Sequence, residues 1–320
     1  VERNHGVTYC EVCKLAAILH KYTGKEEYKK AAVNAFDKLY RDQMLIDGVH
    51  SSTEYLNGNE DSQAMHETCD ISDLTWALGY LYMITGDTKY GDWVENAIFN
   101  AGLGAVDDDF AGNQYFSCPN QAIVNDCSNH AKFFCGKDWM SYAPKKFLAC
   151  CAGNVHRFMP NFVYHSWMRD GDTLAAFTYA PSEICVKIQD VPVKIEEITE
   201  YPFENTIRFR IHAERPIKFT LLLRSPAWAV STELMVNGVS EKVDFVNHTY
   251  PLTRLFKEGD EVVVVFTDKI QLIENAGGVS VKKGALLYAL RIKEEVVIEG
   301  LRDRKNPHFP HYSLYPKSQW

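Results

Sequence analysis

Three cysteines and one glutamate carry the strongest chemical signal in the chain. Glu67 and Cys69 stand two apart in His66-Glu67-Thr68-Cys69-Asp70, and Cys150 and Cys151 are adjacent far downstream. Three thiolates and a carboxylate form the sulfur–oxygen donor set that a tetrahedral zinc ion accepts. Adjacent cysteines do not bridge easily to each other, so ligation or catalysis explains the pair better than a disulfide. Residue types alone leave zinc and buried structural thiols both open. The remaining cysteines are weaker candidates. Cys10-Glu11-Val12-Cys13 is a CxxC inside a helical pattern, where two core-packed thiols are expected and not a zinc knuckle or redox turn. Cys118, Cys127 and Cys135 share a long polar loop with His130, and nothing in their spacing marks a second metal site. His66 reads as an ordinary helix-terminal residue, and Asp107-Asp108-Asp109 as a solvated turn.

These residues must be positioned by helices. Leu15, Ala16, Ile18 and Leu19 form one apolar face, and Ala31, Ala32, Ala35, Phe36 and Leu39 form another over about Glu26 to Tyr40. Further helices are expected over about Asp70–Ile84, about Asp87–Phe99, and from near Cys150 through Phe158, Phe162 and Trp167, with a kink or break at Pro160. Thr23-Gly24, Tyr28 and Asn34-Ala35 recur without a gap as Thr85-Gly86, Tyr90 and Asn96-Ala97. A helix, a Thr-Gly break and a second helix make one helical hairpin, here occurring twice; stacked and closed, such hairpins form an α/α toroid. The same offset places His5 and Glu67 at the starts of equivalent helices, on one rim.

From about Asp172 to Gly300 the period changes. Val186, Ile188, Val191, Val193, Ile195 and Ile198 roughly alternate with polar residues, as do Ile207, Phe209 and Ile211. Asn237-Gly238 is a tight-hairpin signal, because both residues accept a positive φ. Short strands at this spacing suggest a β-sandwich. The expected class is α+β and multidomain: the C-terminal half of an (α/α)6 barrel over 1–170, a β-sandwich over 171–300, and a linker or start of a further β-domain over 301–320. The boundary falls at Arg169-Asp170-Gly171-Asp172.

A net charge of −8 argues against a nucleic-acid or anionic-membrane partner, which would need clustered Lys and Arg. No apolar run reaches the ~18–20 residues of a membrane span. Nine cysteines, an odd number, do not fit a secreted disulfide framework. The chain opens on Val1 with a helical pattern beginning almost at once, and it reads as an internal piece of a longer protein. A targeting segment would lie upstream, which leaves periplasmic, extracellular and cytoplasmic locations open.

Glu67-Thr68-Cys69 followed by Cys150-Cys151-x-x-Asn154 resembles the paired signature of glycoside hydrolase family 127, the zinc-dependent β-L-arabinofuranosidases. The resemblance extends over essentially the whole chain. It implies that Glu67, Cys69, Cys150 and Cys151 bind zinc and that Cys150 is also the nucleophile. It implies an acid/base at Glu54, in Ser51-Ser52-Thr53-Glu54-Tyr55-Leu56. His5, in Asn4-His5-Gly6-Val7, resembles a substrate-binding histidine, and Tyr115 a tyrosine beside the nucleophile. The implied substrate is a plant-type or other arabinose-containing glycan. Two departures bear on the sugar: Ala152-Gly153 stands where better-known members carry prolines, and the stretch before Glu67 is shorter.

The chemistry is coherent. A free thiol with a pKa of about 8.5 is mostly protonated at neutral pH, and metal coordination removes that proton. Retaining glycosidases pair a nucleophile with an acid/base ~5–5.5 Å away. Glu67 suits the metal better than proton transfer, since a neighbouring cation lowers a carboxyl's pKa. Two alternatives belong to other classes. A zinc held entirely by protein groups could be structural, and the chain a non-catalytic carbohydrate-binding or scaffold protein. A different toroid enzyme, an epimerase or a lyase, would work through His, Tyr or Arg without a thiolate. Glu54 separates enzyme from scaffold, because catalysis needs it to face the thiols across an open cleft.

Overall fold

The computed structural model describes residues 4–125, 139–142, 149–299 and 311–317; Cys127, His130, Cys135, Pro307 and Pro310 lie outside them. The architecture mixes five helices with many strands among the described residues. Helices α1 (Gly6–Thr23) and α2 (Glu26–Gln43) form one hairpin, and α3 (Thr68–Thr85) and α4 (Lys89–Asn96) a second. Helix α4 continues as a π-helical turn, Ala97–Gly102, and α5 (Ala149–His165) runs through Pro160 without ending. Trp167, expected in that helix, instead opens a strand.

The sequence repeat is a structural one. Gly24 and Gly86 terminate α1 and α3 with the same left-handed φ of 67°, and each donates its N–H to the carbonyl four residues back at 2.8 Å. Thr23 and Thr85 hydroxyls each donate to the preceding turn at 2.7 Å, at Leu19 and Leu81. At the other ends, His5 caps α1 and Glu67 caps α3. Helix α3 is buried along almost its whole length, packed between α1 and α5. Its Leu74, Leu78 and Leu81 share one core with Ala17, Phe36, Ile98 and Phe158. An amphipathic pattern would place one face in solvent; α3 is covered nearly all round, with apolar later turns and Asp70, Ser72, Asp73 and Thr75 buried in its first turns.

Two antiparallel-dominated sheets follow. The smaller has the order Thr249–Phe256, Ile217–Arg224, Thr173–Ala176, Trp167–Asp170, with its one parallel pairing between Ile217–Arg224 and Thr173–Ala176. The larger has six strands, including the hairpin Ser182–Ile188 and Val191–Ile198. Phe219, Leu221 and Phe256 of the first sheet and Ile195, Phe209 and Val264 of the second bury their side chains in a common core. Asn237 and Gly238, φ 51° and 76°, turn Ser231–Val236 into Val239–Glu241, as their dipeptide predicts. The turn at Arg169–Asp172 lies within a hairpin, so the first strand begins at Trp167, before the expected boundary. A three-stranded sheet, Ile270–Asn275, Gly278–Lys283 and Leu286–Tyr288, was not legible as a separate unit. In the last twenty residues, His311–Pro316 pairs with Glu294–Glu299.

Candidate active site at the helix N-termini

The segment between α2 and α3 carries Glu54 at the tip of a very short hairpin, Ser52–Thr53 with Tyr55–Leu56. Glu54 has φ 72°, and the segment before α1 holds it there: Gly6 N–H donates to the Glu54 carbonyl at 2.9 Å and Leu56 N–H to the Asn4 carbonyl at 3.0 Å. Gly6 permits this approach, since a Cβ would stand 2.5 Å from Ser52 Oγ and 2.8 Å from Asp70 Oδ1. The His5 ring uses Nδ1 to accept from Thr8 N–H at 3.3 Å and turns Nε2 to Glu54 Oε2 at 3.1 Å. The other Glu54 oxygen accepts from the Tyr115 hydroxyl at 2.6 Å. His5 and Glu54 keep 36% and 29% of their side chains exposed, so solvent and a ligand can reach them.

Tyr115 connects this carboxylate to the thiols. Its ring stacks on Trp139 with centroids 4.6 Å apart, its N–H donates to the Trp139 carbonyl at 2.7 Å, and its own carbonyl accepts from Thr68 N–H at 3.0 Å. Its hydroxyl lies 3.3 Å from Cys150 Sγ. Cys150 Sγ and Cys151 Sγ lie 3.7 and 3.5 Å from Glu67 Oε1, and Cys69 Sγ is 3.4 Å from Cys151 Sγ. Cys150 is exposed; Glu67, Cys69 and Cys151 are buried against Met65, Phe116 and Met140.

These four groups could hold a metal ion: their ligand atoms all lie within 4.8 Å of one another. Glu67 Oε2 is buried without a hydrogen-bond partner, an arrangement that is expensive for a carboxylate unless a cation compensates. Burial, then the nearby Asp70 carboxylate, pushes the Glu67 carboxyl up to about 9. Cys69 is raised by its hydrogen bond with Cys150, and Cys151 by burial. Cys150 alone moves down, chiefly through hydrogen bonds from Cys151 and Cys69. Four acidic groups packed this closely hold one negative charge readily and resist the rest. A divalent cation removes that resistance.

Two family models match the chain. The GH127 β-L-arabinofuranosidase catalytic domain covers residues 10–163 and the GH127 middle domain residues 173–267. The chain belongs to glycoside hydrolase family 127. This family 127 chain shares its fold with a GH127 β-L-arabinofuranosidase from Geobacillus stearothermophilus T6, at TM-score 0.79 and 22% identity, covering 98% of this chain and 58% of that one. The GH127 β-arabinofuranosidase BT3674 superposes with TM-score 0.77 at 20% identity, covering 98% and 57%. A structure described as a glycoside hydrolase gives 0.75 at 17%, covering 98% and 63%. No curated protein matches the chain.

All seven residues singled out in the sequence thus meet at one place in this family 127 chain: Glu67, Cys69, Cys150 and Cys151 in the donor cluster, with Tyr115, Glu54 and His5 in a hydrogen-bonded row beside it. Cys10 and Cys13 lie apart in α1, Cys10 fully buried. His66 differs from its expectation. It stands just before the N-cap of α3, as a helix-terminal residue would, but it is buried in the short strand entering Glu67, with Nε2 2.8 Å from Asp47 Oδ2. Sequence reasoning also passed over His50 and Asp70, a fully buried pair at 3.0 Å. The His66–Asp47 and His50–Asp70 separations, 19 and 20 residues, match no local motif.

Proposed function

We propose that this chain carries the catalytic centre of a retaining glycoside hydrolase that releases L-arabinofuranose or a related sugar from glycans, with zinc bound by Glu67, Cys69, Cys150 and Cys151. One observation carries the reading: Glu54 faces the Cys150 sulfur across the Tyr115 hydroxyl, 2.6 Å from one and 3.3 Å from the other, on a solvent-accessible side. A purely structural zinc site gives no reason for a half-exposed carboxylate to be held in that place, which favours the enzyme over the scaffold reading. The cluster supports zinc by size. A tetrahedron with Zn–S of ~2.3 Å and Zn–O of ~2.0 Å has edges of roughly 3.5–3.8 Å. Three of the six separations in the cluster, 3.4, 3.5 and 3.7 Å, lie close to those edges, and all six are within 4.8 Å.

When bound, zinc would hold the cysteine sulfurs as thiolates at neutral pH. Cys150, the exposed member, attacks the anomeric carbon as the bond to the leaving oxygen breaks. Glu54, protonated, gives its proton to that oxygen. The resulting carboxylate then takes a proton from water, whose oxygen displaces the Cys150 sulfur and returns the sugar with its original anomeric configuration. Tyr115 fixes one Glu54 oxygen, and His5 fixes the other on the exposed side, where its ring would line the sugar's path. A polar cavity of about 950 Å³, lined by Arg41, Asp42, Tyr55, Asn57, Asn59 and Asp61, lies against the Glu54 hairpin and suits the rest of a glycan.

The same reading takes residues 1–170 as the C-terminal half of an (α/α)6 barrel, 171–300 as a β-sandwich and 301–320 as a linker or the start of a further β-domain. The common core of the two larger sheets supports the sandwich. Exposed Val12, Leu15 and Leu19 on α1 and Val163 and Tyr164 on α5 support the half-barrel, as surfaces that further helices of a closed ring would cover.

Hydrolysis of an activated β-L-arabinofuranoside, followed by proton NMR, tests the reading. The expected first product is the β-anomer, and removing zinc with a chelator abolishes its formation. An inverted first product, or no cleavage across a panel of activated pentosides and hexosides by zinc-replete protein, would contradict it.

A further inference from the structure

The two buried His–carboxylate pairs near the cluster are not independent. The turn after α2 supplies an acid and then a histidine, Asp47 and His50; the Glu67 segment supplies a histidine and then an acid, His66 and Asp70. His66 Nε2 lies 2.8 Å from Asp47 Oδ2, and His50 Nε2 lies 3.0 Å from Asp70 Oδ1. Each pair crosses between the same two segments, one on either side of Glu67. We propose that Asp47, His50, His66 and Asp70 are positioning residues forming a reciprocal clamp that sets where Glu67 presents its carboxylate to the metal. The proposal rests on the zinc reading above.

Three further contacts tie the clamp to Glu67. The second Asp70 oxygen accepts the Glu67 backbone N–H at 3.0 Å. His66 Nδ1 is 3.3 Å from Ser117 Oγ, and the strand Phe116–Ser117 pairs with His66–Glu67 in register, next to Tyr115. The turn supplying Asp47 and His50 is itself anchored: Leu45 N–H donates to the Val49 carbonyl at 2.9 Å, and Gly48, φ 97°, sits so close to the end of α4 that a Cβ would stand 2.6 Å from the Ala97 nitrogen. Rigid helix ends therefore fix Glu67 through its neighbours on both sides.

Energetics favour positioning over bulk stability. Burying a histidine–carboxylate pair in an apolar surround loses hydration that the pair's own contact only partly returns, and well-packed apolar residues often stabilise as much or more. Four buried ionisable groups flanking one residue gain geometry that an apolar contact cannot define, because each bond has a preferred direction. Glu67 is the cluster's one carboxylate donor, and its side chain has more rotatable bonds than a cysteine's, so it needs such direction most. Groups holding metal ligands commonly contribute ~10–100-fold to metal affinity.

The test measures zinc affinity by chelator competition and the sulfur-to-cobalt charge-transfer band of cobalt-loaded protein, on the complete natural protein. Asp47→Ala breaks one pair and His50→Leu the other; Asp47→Asn and His50→Gln keep a hydrogen bond in each. The expected result is an affinity roughly 10–100-fold lower and a shifted cobalt band in the broken variants, with both largely restored in the conservative ones. Affinity within about twofold of the parent and an unchanged band in folded Asp47→Ala and His50→Leu would overturn the clamp, even if metal-free melting fell. Failure of both to fold would overturn it too, by assigning the pairs to stability. A parent protein without stoichiometric zinc removable by Cys151→Ser would sink the zinc reading itself and the clamp with it.

Discussion

Glu54 occupies a left-handed backbone conformation that costs a non-glycine residue about 1 kcal/mol, and the hydrogen bonds from Gly6 and around Leu56 hold it there. Its carboxylate has two fixed partners, which makes each separable by substitution. Tyr115→Phe removes the hydroxyl held between Glu54 and Cys150 and leaves a carboxyl oxygen without its partner, worth roughly 1–3 kcal/mol. The expected loss is about 10–100-fold in kcat with KM little changed, read from steady-state kinetics. Glu54→Gln is expected to lower kcat roughly 10²–10⁴-fold while zinc content by elemental analysis stays stoichiometric; loss of zinc would show that Glu54 belongs to the metal cage. The donor set was legible in neighbouring letters, Glu67-Thr68-Cys69 and Cys150-Cys151, although residue types alone left zinc and buried thiols both open, and Glu54, His5 and Tyr115 were legible through the family resemblance alone. Asp47, His50, His66 and Asp70 were not, since each finds its partner across a fold that no local spacing announces.

At the scale of elements, the helical repeat was readable down to its caps, because Thr-Gly determines a helix end locally. The starts were readable by the offset alone: His5 and Glu67 cap equivalent helices and meet at one site. Sheet order was not readable. Thr173–Ala176 lies parallel to Ile217–Arg224, a pairing set by packing of distant chain segments. Helix α4 also outran its expected end, continuing as a π-helical turn to Gly102. Gly6 is the critical junction of α1 with the Glu54 hairpin. Gly6→Ala forces its Cβ against Ser52 and Asp70, with an expected loss of about 1–3 kcal/mol in urea unfolding and reduced activity through displacement of His5. Gly104→Ala, where a Cβ meets nothing within 4 Å, is expected to be neutral or slightly stabilising in the same assay. Equal effects of the two would refute the packing account.

Across the whole molecule, the helical part and the sheets are joined by a buried charge cluster. Arg224, at the end of its strand, pairs with Asp92 and Glu95 of α4. The Tyr201 hydroxyl donates to Glu95 at 2.6 Å, and Glu197 accepts from Ser182 Oγ at 2.7 Å. Burial pushes Glu95 up to about 7 and Glu197 up to about 8 against an ordinary value of 4.5. A carboxyl whose pKa is raised on folding binds its proton more tightly in the folded state. Its stabilising contribution is full below about pH 4.5 and is lost as pH rises through 7 to 8. Tm is therefore expected to fall between pH 5 and 8, and Glu197→Gln to reduce that fall by the equivalent of roughly 1–3 kcal/mol. A parallel pH dependence in the two proteins would contradict the assignment. The central claim is tested most directly by peptide mass spectrometry of the complete natural protein carrying Glu54→Ala, mixed with an activated β-L-arabinofuranoside, against the same protein with Cys150→Ser added. The account predicts a pentosyl adduct on Cys150 that is absent from the serine variant. An adduct on a carboxylate, or none on zinc-replete protein, would contradict it.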